Sequence, residues 1–184
     1  MERKIIRNID NEDPVNHWGF LPVENRVVLD LGSGLNSEFM PTPWYFIQEK
    51  GAKMVYGVDP SEESYQWYKQ NYNIQSFLQF KDWVDRLEKF EFYINATKPD
   101  VIKCDVEGSE ILMMALKKEV LESVKNIAIE YHNLACLIAV EKMFQDNDFE
   151  VEYYKFGHLA IDHQGVIHGF RKPTTVTKLR QTQN

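Results

Sequence analysis

Short apolar runs alternate with amphipathic segments five times between residues 26 and 145 of this 184-residue chain. An apolar run bounded by turn residues is typical of a buried parallel strand, and the intervening segments have helical periodicity. The alternation therefore predicts a parallel sheet covered by helices on both faces. The expected strands are residues 26–30, 54–58, 74–80, 101–104 and 126–131. The expected helices are residues 43–50, 61–71, 82–95, 109–121 and 134–145.

Local signals support several of these boundaries. Thr42 and Ser61 are expected to cap the first two helices, and Gly51 is expected to end the first. Further strand-like runs at residues 151–156, 159–162 and 166–170 follow without a helix, which predicts a closing antiparallel hairpin. The expected fold is therefore a doubly wound, mostly parallel α/β sheet with a C-terminal antiparallel hairpin. One domain spans residues 1–184, with residues 1–25 as an N-terminal extension and residues 173–184 as a flexible tail.

Composition excludes some classes of function. The net charge of −7 at pH 7 makes nucleic acid an unlikely main partner, and no apolar run approaches the ~20 residues that span a bilayer. The charged N-terminus lacks the apolar segment of a secretory signal. The only cysteines, Cys104 and Cys136, are isolated in sequence. These features predict a reduced, cytoplasmic protein that does not enter a membrane.

Acidic residues end three of the expected strands. Asp30, Asp59 and Asp105 stand at these positions, and the carboxyl ends of neighbouring parallel strands converge on one edge of the sheet. Gly32 and Gly34, directly after Asp30, would let the backbone approach a ligand closely. An acid in the position of Asp59 is well placed to accept both hydroxyl hydrogens of a ribose. The sequence thus predicts a site for a small nucleoside-containing cofactor.

The loop after Gly34 argues against a dinucleotide. A pyrophosphate site needs a third glycine and a helix that begins at once, whereas Asn36 follows here and Pro41 delays the helix. Glu38 would also repel a diphosphate. A cofactor with a sugar but no phosphates is favoured over NAD. An NAD-linked oxidoreductase remains an alternative, as does a non-catalytic binding protein with the same Rossmann-like fold.

Several motifs resemble one enzyme class. Asp30-Leu31-Gly32-Ser33-Gly34 resembles the first motif of the Rossmann-like S-adenosylmethionine-dependent methyltransferases, and Asp59 resembles their ribose-binding acid. More narrowly, the chain resembles the FkbM-type methyltransferases between about residues 26 and 133. The segments that carry this likeness are Gly57-Val58-Asp59-Pro60, Ile102-Lys103-Cys104-Asp105-Val106-Glu107-Gly108-Ser109-Glu110 and Ile129-Glu130-Tyr131-His132.

The resemblance implies S-adenosylmethionine as cofactor and methyl transfer to a hydroxyl of a small molecule or sugar. It implies that Asp82 and Trp83 hold the adenine, and the alternative is that these two residues only begin the next helix. The residues assigned to the cofactor are Asp30, Gly32, Ser33, Gly34, Asn36, Asp59, Pro60, Asp82, Trp83 and Asp105. Nucleic acid is a disfavoured acceptor, because the fourth strand does not end in the Asn/Asp-Pro-Pro-aromatic turn used for flipped bases. The acceptor and the oligomeric state stay open.

Asp105, Glu107 and His132 are the candidate catalytic residues. One of them could remove the acceptor's proton, or together they could ligate a divalent ion that acidifies the hydroxyl. The sequence does not define the geometry of these three side chains, and we do not expect them to bind a metal. Glu130 is expected either in the pocket or paired with a buried arginine or lysine. His17 and Trp18 are expected either to close over a pocket or to cover the core.

Overall fold

One mixed sheet organises the protein. The computed structural model describes residues 3–35, 38–157 and 159–172. Within them the strands are β1 Ile5–Ile9, β2 Val27–Leu31, β3 Met54–Asp59, β4 Phe77–Lys81, β5 Val101–Cys104, β6 Asn126–Tyr131, β7 Glu150–Phe156 and β8 Gly165–Phe170. Their order is β1-β7-β8-β6-β5-β2-β3-β4. Strands β2, β3, β4, β5 and β6 all run parallel to one another. Strand β8 is antiparallel to both of its neighbours, β6 and β7. This confirms the predicted mostly parallel sheet and its C-terminal hairpin.

The order of the strands reverses beside β2. The chain moves outward from β2 through β3 to β4, and then returns to place β5 and β6 on the other side of β2. Open α/β sheets bind ligands outside the carboxyl ends of their strands at such a switch point. The pairing of Asp30 with Lys103 and of Leu31 with Cys104 puts the ends of β2 and β5 side by side. The fold therefore places the candidate site between these two strands.

Helices cover both faces of the sheet, as predicted. They are α1 Pro14–His17, α2 Thr42–Trp44 with a π-helical continuation Tyr45–Glu49, α3 Glu62–Asn71, α4 Leu87–Thr97, a 3₁₀ helix Ser109–Ala115, and α5 Leu134–Asp146. On one face Leu29 of β2 packs in a core with Phe90 of α4 and Leu137 of α5. On the other face Val28 of β2 packs in a core with Phe46 of the π-helical segment and Tyr68 of α3. No described helix has the length and apolar character to cross a membrane.

The N-terminal segment contributes more than an extension. Residues Ile5–Ile9 form the edge strand β1, which pairs in parallel with β7. Ile5 and Ile6 are more than two-fifths exposed, and only Ile9 of this strand is buried. An exposed edge strand does not show the alternation that marks a half-buried strand, so the sequence did not predict β1. The flexible tail predicted for residues 173–184 lies outside the described residues.

Some helix boundaries also differ from the predictions. The segment predicted as a helix at 109–121 is a 3₁₀ helix that ends at Ala115, because Leu116 is extended. The helix predicted from residue 82 begins at Leu87, since Arg86 is extended. Residues 159–162 form no strand. Ser61 caps α3 by accepting the Ser64 amide at 3.1 Å, whereas Pro41, not Thr42, occupies the cap position of α2.

Candidate active site

Gly32 joins the two motif segments directly. Its φ of +77° belongs to the left-handed region that favours glycine. A Cβ added there would lie only 1.7 Å from the carbonyl oxygen of Asp105. The glycine is therefore required by close backbone contact as well as by backbone conformation. This contact brings the loop after β2 against the loop after β5, which carries Asp105 and Glu107.

Polar side chains hold the rest of the glycine loop. The Ser33 hydroxyl accepts a hydrogen bond from Gln79 Nε2 at 2.9 Å. The Ser33 backbone carbonyl accepts another from the Tyr68 hydroxyl at 3.1 Å. A Cβ on Gly34 would lie 3.2 Å from Asp59 Oδ2, so glycine here leaves that carboxylate accessible. Gln79 and Tyr68 carry no motif and were not predicted. Asn36 lies outside the described residues.

Asp30 lies beneath this loop. We expected its side chain to face the crevice, but it is fully buried. Strand β2 continues through Leu31, and the fully buried Asp30 side chain forms an ion pair with Lys103, whose Nζ lies 3.0 Å from Oδ1. Burial raises the pKa of Asp30, and the Lys103 ammonium opposes that shift. Lys103 Nζ also donates to the Gly32 carbonyl at 2.7 Å. The pair therefore supports the loop from below, and any effect of Asp30 on a ligand would pass through Lys103 and Gly32.

A cleft opens at the carboxyl ends of β2, β3, β4 and β5. It is lined by Gly32, Val58, Asp59, Pro60, Asp82, Trp83, Val84, Asp105, Val106 and Glu107. Most of the predicted cofactor residues thus share one space, together with Glu107 from the catalytic set. The cleft encloses about 120 Å³, below the ~300–1,000 Å³ of typical small-molecule sites. A nucleoside would therefore extend through its open side.

Asp59 and Asp82 stand on one side of the cleft. Asp59 Oδ1 accepts the Ser61 amide at 2.8 Å, and the Asp59 carbonyl accepts the Asp82 amide at 3.2 Å. The Asp82 carboxylate accepts hydrogen bonds from Lys89 and from the Tyr93 hydroxyl. Burial alone would raise the pKa of Asp82, but these bonds hold it below its ordinary value.

Trp83 is 61% exposed beside these two acids. A large aromatic surface left open in a cleft is available for stacking on a flat ring. Trp83 and Asp82 thus line the same cleft, and their contact with an adenine stays a prediction.

Glu110 shapes the loop that carries the candidate catalytic groups. Its fully buried carboxylate accepts the amides of Val106 and Gly108, each at 2.8 Å. Gly108 adopts a φ of +99°, and Glu107 between them adopts +53°. The loop thus turns back on Glu110 and leaves the Glu107 side chain 85% exposed. Glu110 is a structural residue of the site that the sequence motif contains but whose role was not predicted.

His132 lies among several carboxylates. Its Nε2 is 3.6 Å from Asp105 Oδ1 and 3.6 Å from Glu107 Oε2, and its Nδ1 is 3.4 Å from Glu110 Oε1. The structure therefore brings together all three predicted catalytic residues. The contact with Glu110 and the other nearby carboxylates raise the pKa of His132 to about 9. Burial raises the pKa of Asp105 to about 7.

Glu130 contacts a buried histidine and not the arginine or lysine that the sequence suggested as its alternative partner. Its carboxylate lies 2.9 Å from His17 Nε2 and accepts a hydrogen bond from Gln164 Nε2 at 2.6 Å. His17 and Trp18 are both buried, and their rings stack at 4.1 Å. The two aromatic residues therefore cover the core and do not form an open lid. His17 fixes Glu130 beside His132 from the N-terminal segment.

Comparison with known proteins shows the fold. No protein-family model matches the sequence, and no curated protein sequence matches it. Solved structures do match. Precorrin-6y C5,15-methyltransferase from Geobacter metallireducens has a TM-score of 0.54 at 12% identity, over 80% of this chain and 81% of that one. The fold is that of Rossmann-like methyltransferases.

Two further structures support this conclusion. The fibrillarin pre-rRNA processing protein of Methanococcus jannaschii has a TM-score of 0.55 at 14% identity, over 82% of this chain and 68% of that one. The magnesium protoporphyrin IX methyltransferase of Synechocystis, solved with bound S-adenosylmethionine, has a TM-score of 0.53 at 14% identity, over 82% of this chain and 72% of that one. The names of these proteins refer to different substrates or processes, so they do not point to one acceptor.

Proposed function

We propose that this protein is an S-adenosylmethionine-dependent methyltransferase of the FkbM type that methylates a hydroxyl of a small molecule or sugar. One observation carries the proposal. The cleft beside β2 joins the glycine loop, Asp59, the Asp82–Trp83 corner and the Asp105–Glu107 loop in a single space. The structural neighbour with bound S-adenosylmethionine has the same fold, which supports the choice of cofactor.

The charge of the cleft favours a cationic cofactor. Its lining contains the carboxylates of Asp59, Asp82, Asp105 and Glu107 and, among the described residues, no lysine or arginine. A sulfonium cation is attracted to such a lining, whereas a diphosphate is repelled. In addition, α2 begins only at Thr42, so no helix N-terminus follows Gly34 at once to bind a pyrophosphate. Both features oppose the NAD-linked alternative.

Each part of the cofactor has a matching side of the cleft. The Asp59 carboxylate would accept hydrogen bonds from the ribose hydroxyls, and the exposed Trp83 ring would stack on the adenine. The amino-acid portion would lie along the glycine loop, where a Cβ on Gly34 would come within 3.2 Å of Asp59 Oδ2. The methyl group would then point toward Asp105 and Glu107. We assign Pro60 to the wall beside the ribose.

The reaction is an in-line displacement at the methyl carbon. The acceptor oxygen forms a bond to that carbon as the carbon–sulfur bond breaks, the electron pair of that bond stays on sulfur, and the acceptor's proton passes to solvent. Positioning two reactants in this way can be worth ~7–11 kcal/mol of the barrier. We propose that the acceptor hydroxyl is held beside Asp105, Glu107 and His132. The acidic cleft and the net charge of −7 disfavour a nucleic-acid acceptor.

Thermal unfolding with added ligands tests the proposal. S-adenosylhomocysteine at 100 times its Kd should stabilise the protein by ~2.7 kcal/mol, and NADH should have no effect. Asp59→Ala should weaken S-adenosylhomocysteine binding tenfold or more, because it removes charged hydrogen bonds to the ribose. Glu63→Gln is the matched control, since it removes one exposed negative charge from the first turn of α3, close to Asp59 in sequence.

The outcomes separate the alternatives. Stabilisation by NADH alone would support the oxidoreductase. Stabilisation by neither ligand would contradict both enzyme proposals. Stabilisation by S-adenosylhomocysteine, with no transfer of labelled methyl to any member of a panel of hydroxyl compounds, would favour the non-catalytic binding protein.

A further inference from the structure

Three side chains at the carboxyl edge of the sheet can reach one point in space. Asp105, Glu107 and His132 each offer a donor atom, and these atoms lie within 4.8 Å of one another. The distances of 3.6 Å from His132 Nε2 to the two carboxylate oxygens are too long for hydrogen bonds. Donors bound to one ion at ~2.1–2.2 Å are themselves roughly 3.0–3.6 Å apart. The spacing therefore suits a shared cation.

A buried oxygen without a partner supports this reading independently. Asp105 Oδ1 is buried and accepts no hydrogen bond from the described chain. No lysine or arginine in that part of the chain forms an ion pair with Asp105 or Glu107. A buried carboxylate oxygen is costly to leave unsatisfied, so a ligand at this position would stabilise the site.

The surrounding groups are arranged as a second layer around the histidine. Glu110 Oε1 lies 3.4 Å from His132 Nδ1, and the other ring nitrogen, Nε2, faces Asp105 and Glu107. A metal-bound histidine usually has its other ring nitrogen near a carboxylate or carbonyl in this way. Glu110 itself binds two backbone amides, and Glu130 is occupied by His17 and Gln164. Asp105 and Glu107 are the carboxylates left to act as ligands.

We propose that Asp105, Glu107 and His132 bind one divalent metal ion of the Mg²⁺ or Mn²⁺ class. A site with two carboxylates, one imidazole and an open side toward the cleft leaves positions for water or for an acceptor oxygen. This inference rests on the proposed function for its chemical role, but metal binding itself does not depend on that function.

The ion would act on the acceptor hydroxyl. Bound to the ion, the acceptor oxygen loses its proton to solvent more readily, because the cation lowers the pKa of the hydroxyl. The oxygen then forms a bond to the methyl carbon, the carbon–sulfur bond breaks, and S-adenosylhomocysteine leaves with the electron pair of that bond. Asp105 and Glu107 line the cofactor cleft as well, so the ion would stand beside the transferred methyl group.

Titration with Mn²⁺, followed by the electron paramagnetic resonance signal of the free ion, tests the site. The wild-type protein should bind one Mn²⁺ per chain in a saturable manner. Glu107→Gln and His132→Gln should each weaken binding tenfold or more. Glu107 is 85% exposed, so its substitution should not disturb folding. Glu119→Gln, at an exposed carboxylate in the turns before β6, should bind as the wild type does.

Unfolding temperatures in EDTA serve as the folding control for each variant. No saturable site in the wild type, or equal Mn²⁺ affinity in Glu107→Gln, His132→Gln and the wild type, would overturn the inference. A parallel titration with S-adenosylhomocysteine in EDTA separates this failure from that of the proposed function. Cofactor binding without Mn²⁺ binding would contradict only the metal site. Mn²⁺ binding without cofactor binding would contradict the proposed function and support the metal site.

Discussion

Removing the cation from the Asp30–Lys103 pair should be among the most damaging single changes in this protein. Lys103 Nζ lies 3.0 Å from Asp30 Oδ1, and the two side chains are 3% and 0% exposed. Lys103→Met would leave the carboxylate buried without a partner, a change that typically costs about 3–5 kcal/mol. It would also remove the 2.7 Å hydrogen bond to the Gly32 carbonyl. We therefore expect a loss near 5 kcal/mol, a large part of the ~5–15 kcal/mol stability of a typical domain.

A second substitution separates the ion pair from general packing. Replacing both partners in Asp30→Leu/Lys103→Met removes the two charges together and fills the space with apolar groups. Such replacements are often neutral or stabilising, so the double variant should be several kcal/mol more stable than Lys103→Met alone. Its affinity for S-adenosylhomocysteine should still fall, because the Gly32 carbonyl has lost its anchor and the loop over the cleft is no longer held from below.

Urea unfolding followed by tryptophan fluorescence measures these differences. Trp18 is a local reporter, since its ring lies 5.2 Å from Lys103 Nζ. The free energies of unfolding of the wild type, both single variants and the double variant form a double-mutant cycle. If Lys103→Met unfolds within 1 kcal/mol of the wild type, or if the two single losses simply add, the Asp30–Lys103 interaction does not have the role assigned to it.

Two further predictions concern a glycine and a histidine. Gly32→Ala should lower the free energy of unfolding in urea more than Gly108→Ala does. Both glycines have positive φ, but an added Cβ would lie 1.7 Å from the Asp105 carbonyl oxygen at Gly32 and would meet nothing within 4 Å at Gly108. Equal losses of stability would contradict the proposed contact. Burial lowers the pKa of His168 to about 4, so its stabilising contribution is complete above pH 6.5 and is lost as the pH falls toward 4. Between pH 7.5 and 5 the wild type should lose about 2 kcal/mol more than His168→Gln in urea unfolding, and parallel losses would refute this.

The sequence predicted the elements that bury apolar surface on both faces. The five parallel strands could be predicted because a strand covered on both faces has a continuous apolar sequence. Asp59 and Asp105 could be assigned to the site because each stands at the end of such a strand. Five residues of β1 were missed because only Ile9 is buried there. The helix after Gly108 was predicted too long. Apolar residues recur through that segment with helical spacing, yet Glu110 turns back to the preceding loop and the chain becomes extended at Leu116.

Long-range side-chain pairing could not be predicted in the same way. Lys103 reads only as a polar interruption of an apolar strand, and its partner Asp30 lies on a neighbouring strand whose register the sequence does not state. His17 reaches Glu130 from a segment 113 positions away, which the sequence predicts to be an N-terminal extension. A resemblance in motif placed the three catalytic candidates at strand ends, but their mutual distances required the fold.

The backbone at Glu107 connects the fold to the function. Glu107 adopts a φ of +53°, a conformation that is uncommon for a residue with a side chain, and its side chain is largely exposed. Neither burial nor packing accounts for a glutamate there, whereas Glu110 fixes the loop through two backbone amides and so sets that conformation. Strained residues of this kind occur at ligand sites, where the surrounding structure holds them in place. The Asp-Val-Glu-Gly-x-Glu segment thus contains one glutamate that builds the loop and another that the loop presents beside Asp105 and His132.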